Sequence, residues 1–305
     1  RWALVKGRAA IFADCGLGKT PMQLEWASKV YVKTKEPVLI VAPLAVSGQT
    51  KREGDKFRVK VSIVDGKDEV RKGINITNYE KLHKFDTTVF SGVVIDESSI
   101  LKNFTGVRRN EIIDAFSNTP YRLACTATPA PNDYAELGNH CQFLGIMSRM
   151  EMLSMFFIND TSKIGDWRLK GHVRDNIFWK WLSTWAVVVS KPSDLGYKDS
   201  GFILPNIKYY QHLIKPTRRP KKGFFFDTAR GLDERRKIRK DTVVSRCKEA
   251  ASVINNTSDL WVIWCGLNDE GDLLTSLVDG AVQVAGRHSD DIKADRMIRF
   301  SLGKI

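Results

Sequence analysis

Cys15, Gly16, Leu17, Gly18, Lys19 and Thr20 bring two glycines, a lysine and a hydroxyl together in one short stretch. Glycines let backbone N–H groups turn inward around an anion, and a helix starting there adds partial positive charge. In that setting Lys19 reaches the β and γ phosphates of a nucleoside triphosphate as a point charge, and the Thr20 hydroxyl ligates Mg2+. Ala13 stands where the general GxxxxGK[ST] pattern has its first glycine. Asp96 and Glu97 form a second group at the end of the apolar run Val93 to Ile95. Asp96 suits a magnesium ligand, and Glu97 suits a base that orients and deprotonates an attacking water, because one carboxylate cannot easily do both. The plainer alternatives are a glycine-rich turn with an incidental lysine and a pair of acids at a helix N-terminus.

These groups need elements to hold them. Apolar runs at Ala9 to Ala13, Val38 to Ala42, Val61 to Val64, Ile74 to Thr77, Val93 to Ile95 and Leu123 to Thr126 lack the alternation of a half-exposed strand. Such runs read as strands buried on both faces, with intervening segments long enough for crossover helices. The expected fold class is therefore α/β with a parallel sheet. The phosphate loop follows the first strand and leads into a helix through Met22, Trp26 and Val30, with Pro21 in the first turn where its missing N–H costs nothing. Asp96 and Glu97 then fall at a strand's carboxyl end, where ligands of parallel sheets gather.

Three motifs in order, ADCGLGKT, DESSILKN and TATPAPN, resemble the Swi/Snf-type branch of the superfamily-two helicases, in the compact form of its phage and prokaryotic members. The resemblance implies two RecA-like lobes, ATP and Mg2+ as cofactors, and DNA as partner, with duplex favoured. It implies that Pro43 and Asn78 sit in motifs touching nucleic-acid phosphates, the alternative being a loop and a helix cap. Thr126 and Thr128 would couple nucleotide state to lobe movement, the alternative being turn structure before Pro129. Trp261 to Gly266 and Val284 to Arg287 resemble the opening blocks of the second lobe, which makes Arg287 a candidate contact. Only Arg1 to Ile11 precede the loop strand, without a glutamine, and the family's last two motifs would lie beyond Ile305. The expectation is a chain cut at both ends that binds ATP and hydrolyses it poorly alone, since an arginine finger contributes about 10³ to 10⁵ in rate.

The domains expected are 1–133 as the first ATP-binding lobe, 134–205 as a helical extension rich in Met, Phe and Trp, and 206–305 as a partial second lobe. Strands are expected in the last at Ile207 to Ile214, Leu260 to Cys265 and Ala281 to Ala285. The 305 residues carry a formal charge of +13, and 43% hydrophobic content rules out disorder as the main state. A charge of that sign fits a polyanionic partner. Between Lys215 and Lys240 eleven basic residues face three acids. That stretch reads as a strand-binding cleft or, alternatively, a solvated helix face and loop. Phe224, Phe225 and Phe226 beside it would pack on the core rather than stack on bases. Five dispersed cysteines without a CxxC pair argue against a disulfide framework and fit a reducing cytoplasm, which the resemblance implies to be prokaryotic or phage-infected. His83, His140, His172, His212 and His288 show no ligand spacing. No apolar run is long enough for a membrane span.

The function that collects these readings is an ATP-dependent translocase on double-stranded DNA. Its alternatives are a strand-separating helicase or restriction-type motor and, from another class, a nucleotide-gated DNA-binding module with little turnover.

Overall fold

Six of the apolar runs pair as expected. A computed structural model describes residues 1–103, 105–159, 167–171, 176–214 and 231–305, and the chain divides into two units, Arg1–Leu204 and Pro205–Ile305. The first unit opens with α1 (Trp2–Lys6), β1 (Arg8–Ala13), α2 (Lys19–Thr34) and β2 (Val38–Ala42). It continues through α3 (Ser47–Lys56), β3 (Val61–Ile63), β4 (Ile74–Asn78), β5 (Gly92–Asp96), α4 (Val107–Ala115) and β6 (Tyr121–Thr126). Then follow α5 (Leu137–Leu144), α6 (Arg149–Phe156), the small hairpin β7 (Phe157–Asn159) and β8 (Trp167–Leu169), α7 (Ile177–Leu182) and β9 (Ala186–Val189).

Seven strands make one sheet in the order β3, β4, β2, β5, β6, β1, β9, with every pairing parallel. All residues of β2, β4 and β5 are buried, as strands covered on both faces must be. Alternate residues of one strand serve two cores. Leu39 and Val41 face a cluster with Phe116, Phe143, Leu153 and Phe178, whereas Val38, Ile40 and Ala42 face one with Leu24, Trp26 and Val30. The result is an α/β/α sandwich, and the α/β class with a parallel, RecA-like sheet is what the first unit has.

The segment expected as a helical extension of the first lobe packs within the first unit. Helices α5, α6 and α7 are one outer layer of the sandwich, and Phe143, Met152, Phe156 and Phe178 share a core with Phe12 of β1 and Ile95 of β5. β9 is a seventh strand that the sequence reading missed, since it is only four residues long and its edge position leaves Val188 58% exposed. Its register sets Ala186 beside Ala10 and Val189 beside Ala13.

The second unit contains α8 (Leu232–Asp241), α9 (Val243–Asn255), α10 (Asn268–Leu277) and α11 (Asp290–Ser301). Among its described residues there is no strand, so the runs expected at Ile207 to Ile214, Leu260 to Cys265 and Ala281 to Ala285 lack ladder partners. Its buried apolar cluster is Val243, Cys247 and Leu274. Arg246 and the buried Glu270 form an ion pair, and Glu270 also accepts from the backbone N–H groups of Gly266 (2.8 Å) and Leu267 (3.0 Å). Of the basic stretch, Arg235, Arg236, Lys237, Arg239 and Lys240 line an exposed helix. The part from Lys215 to Arg230, with Phe224 to Phe226, lies outside the described residues, as does His172. Among the described residues no helix is long and apolar enough to cross a membrane.

Candidate functional site

β1 delivers the loop residues to the carboxyl edge of the sheet, and β5 and β6 deliver theirs to the same edge because all three run parallel. Gly16 (φ 82°) and Gly18 (φ 79°) are both left-handed, and no atom lies within 4 Å of a Cβ placed at Gly16. The glycines are therefore required by backbone conformation and leave the concave side of the turn open. Gly18 is the N-cap of α2, where the unpaired helical N–H groups of the first turn face the loop. Cys15 is exposed, and Leu17 closes the turn by donating to the Asp14 carbonyl at 3.3 Å. Lys19 Nζ donates to the carbonyls of Ala13 (2.9 Å) and Asp14 (3.3 Å), so the amine lies across the loop. Thr20 follows it in the first turn of α2.

Asp96 ends β5 with 6% of its surface exposed. Burial lifts its carboxyl above the usual carboxylate range and the neighbouring Glu97 adds to this, while a hydrogen bond from Gln23 and the charge of Lys19 pull it down. The positive charge of Lys19, at the start of α2, favours the ionised form of Asp96. Glu97 takes a left-handed backbone (φ 50°, ψ 52°), uncommon for a residue with a side chain and a form of strain that concentrates at functional sites. This bend turns β5 into a 3-10 turn over Ser98–Lys102. Across it Thr126 Oγ1 donates to Glu97 Oε2 at 3.2 Å and accepts from the Thr128 N–H at 3.1 Å. The hydroxyl therefore ties the third motif to the second.

The phosphate loop, the paired acids and the two threonines are brought together, as their order on parallel strands requires. Asn78 caps the turn after β4 by accepting from the Lys81 N–H at 3.0 Å, which is the cap stated as its alternative. Pro43 follows β2, and its carbonyl accepts from Val46 N–H at 2.9 Å in a turn. Arg287 lies in the second unit, where its guanidinium grips both carboxylate oxygens of Asp272 (3.1 Å for the Nη1 contact) and reaches Gln283 at 2.8 Å.

Four further residues of the site were given no role there from the sequence. Gln23, fully buried, donates from Nε2 to Asp96 Oδ1 at 2.6 Å. Its one clue is helical spacing, since it lies four residues after Lys19 on the same face of α2. Tyr79 donates its hydroxyl to the Asp96 carbonyl, and burial followed by the charge of Asp96 pushes that phenol well above its ordinary value. Behind the acids, Ser98 Oγ and His140 Nε2 lie 3.0 Å apart with neither residue exposed, and burial pulls the imidazole down to about 4.

A magnesium ion fits this donor set. Thr20 and Asp96 are hard oxygen donors of the kind Mg2+ takes, and Gln23 Oε1 beside them is a buried acceptor without a partner among the described residues. Among those residues no cluster of three His, Cys, Asp or Glu offers a different metal site.

Residues 3–157, half of the chain, match the family described as the SNF2-related domain. The chain is 28% identical over 142 residues to the SWI/SNF-related matrix-associated actin-dependent regulator of chromatin subfamily A-like protein 1 of Bos taurus, a match spanning 43% of this chain and 15% of that protein. The Xenopus tropicalis protein of the same name is 29% identical with the same coverage. A solved structure, the Sulfolobus solfataricus SWI2/SNF2 ATPase core in complex with dsDNA, superimposes with a TM-score of 0.52 at 18% identity, covering 99% of this chain and 63% of that one. That likeness speaks for the fold. Since the family model covers half of its length, the chain belongs to the SNF2-related domain family.

Proposed function

We propose that the protein is an ATP-driven translocase on double-stranded DNA. The observation that carries this reading is the meeting of three motifs at one sheet edge: Gln23, one turn after Lys19 on the helix that the phosphate loop opens, bonded to Asp96, and Thr126 bonded to Glu97. ATP binds with its β and γ phosphates against the N–H groups of Gly16 to Thr20, and Lys19 exchanges the carbonyls of Ala13 and Asp14 for phosphate oxygens. Thr20 and Asp96 would hold Mg2+, which would supply positive charge to offset that developing on the phosphates. Glu97 orients the attacking water and accepts its proton. Release of the γ phosphate changes what Glu97 faces, and Thr126, bonded to that carboxylate and to the Thr128 backbone, passes the change to the chain after β6.

Pro43 and Asn78, at the ends of β2 and β4, lie at the same edge of the sheet and are assigned to nucleic-acid phosphates; Arg287 is assigned to the second lobe's share of that contact. A polyanionic partner is favoured by the net charge of +13, and duplex DNA by the partner of the Sulfolobus ATPase core. The protein is assigned to a reducing cytoplasm on its dispersed thiols, and to a prokaryotic or phage-infected cell on the compact form of its motifs.

ATP turnover, measured with and without duplex and single-stranded DNA, tests the assignment. Lys19→Ala should abolish nucleotide binding, and Glu97→Gln should keep binding while turnover falls on the order of 10²–10³-fold, the usual scale for losing one transition-state group. Stimulated turnover persisting in either variant removes that residue from the mechanism. Equal stimulation by both DNA forms, with strand separation, makes the protein an unwinding helicase instead.

A further inference from the structure

We propose that Gln23 is a positioning residue for the cation-binding carboxylate, fixing Asp96 from the same helix that carries the phosphate-binding lysine. The inference rests on the ATP and Mg2+ reading above and adds a residue to it.

Gln23 is a polar amide with no exposed surface, and native proteins seldom bury such a group without satisfying both halves. One half is used: Nε2 donates to Asp96 Oδ1 at 2.6 Å, across 73 residues of sequence. The other half, Oε1, has no hydrogen-bond partner among the described residues. A methionine would fill nearly the same volume in this core without leaving an unpaired acceptor, so packing alone does not explain the amide. What the amide does is hold one oxygen of Asp96, leaving the other for an ion, and present a spare acceptor beside the carboxylate.

Asp96 is held from a second direction as well, because the Tyr79 hydroxyl bonds its backbone carbonyl. Backbone and side chain of the metal-binding residue are thereby fixed separately. Lys19 and Gln23 lie one helical turn apart on α2, the first directed to the loop carbonyls and the second to the end of β5. A single rigid helix thus sets the spacing between phosphate site and cation site, and groups placed on one element keep their geometry better than groups on separate loops. Partners that orient metal ligands from behind contribute roughly 10- to 100-fold to metal affinity when removed.

The test uses the full chain with Gln23→Met, which keeps volume and loses the donor, and Gln23→Asn, which keeps the amide and loses its reach. A fluorescent ATP analogue is titrated at fixed Mg2+ concentrations and again in EDTA, giving the half-saturating Mg2+ and the metal-free affinity; melting temperature is recorded in parallel. Both variants should raise the half-saturating Mg2+ roughly tenfold while metal-free affinity stays within about twofold. Should Gln23→Met fail to fold, the Asn variant carries the same expectation. Unchanged Mg2+ dependence in a folded variant, equal losses with and without metal, or failure of both variants to fold assigns Gln23 to packing and overturns the proposal. Lys19→Ala serves as the control. If it binds nucleotide like the wild type, the ATP reading falls and this inference falls with it. If it loses binding while Mg2+ dependence is unmoved in the Gln23 variants, only the inference fails.

Discussion

Val38 to Ala42 and Leu260 to Cys265 are similar runs of apolar residues, yet only the first is a strand. β2 lies between β4 and β5 with all five residues buried, whereas Trp264 in the later run is 92% exposed. A parallel strand is stable only with hydrogen-bonded neighbours and a helix layer on each face, all supplied by distant sequence. The first unit has seven such strands and two cores. The described part of the second has helices and one small apolar cluster. An apolar run therefore states what a segment can do, and its neighbours decide whether it does.

The largest expected effect lies in the outer helical layer of the first unit. Trp185 precedes the edge strand β9, is 1% exposed, and sets its ring against Phe12 (6.3 Å) and Trp181 (5.3 Å). Its carbonyl also accepts from Ala10 N–H at 2.8 Å, the first bond between β9 and β1. Trp185→Ala should cost about 3–5 kcal/mol, the range for emptying a large aromatic site. Calorimetry should show the first unit's transition moving down and any separate transition of the second unit unmoved. A cost under about 1 kcal/mol would mean that the layer formed by α5, α6 and α7 is an appendage after all.

A smaller effect comes from the buried imidazole behind the acids. Held down to about 4 in the folded chain, His140 ordinarily titrates near 6.5, so the unfolded chain takes up its proton first. Its neutral form contributes stability that is fully present above pH 6.5 and is lost as pH falls towards 4, by about 3 kcal/mol at most. Asp96, raised rather than lowered, acts in the opposite sense: its folded form takes a proton before the unfolded one as pH falls. Total acid sensitivity mixes the two. The clean quantity is the difference in unfolding free energy between wild type and His140→Gln, measured by denaturant at pH 7 and at pH 4.5. That difference should shrink on acidification, and a constant difference would show that Ser98 and His140 are not buried as a neutral pair.

How much of this was legible in the sequence follows the same line. Local signals sufficed for the loop, since glycine conformation, the helix start and Lys19 all lie within one turn. The acids and Thr126 were legible because motifs at the carboxyl ends of parallel strands converge wherever the strands are ordered. Gln23 was not: nothing in TPMQLEW distinguishes an amide that meets an acid 73 residues away from one that meets water. Ser98 and His140 meet across 42 residues, and a lone histidine carries no spacing to betray its partner. β9 was missed for shortness, and the strands expected in the second unit were apolar runs whose pairing the sequence could not supply.

The smallest expected effect tests that last point most directly. Trp264 sits in the middle of a run that composition alone would bury, and replacing a buried tryptophan costs several kcal/mol. With 92% of its surface in water it has little contact to lose, so Trp264→Ala should change stability by no more than about 0.5 kcal/mol. The same exposure predicts no blue-shifted emission from this residue, which the difference between wild-type and variant fluorescence spectra reads directly. A loss above about 2 kcal/mol, with a blue-shifted difference spectrum, would show the run buried against other residues in solution. The contrast between the two units would then be one of degree, and the sequence rule that a Val- and Ile-rich run marks a strand would extend to Leu260 to Cys265.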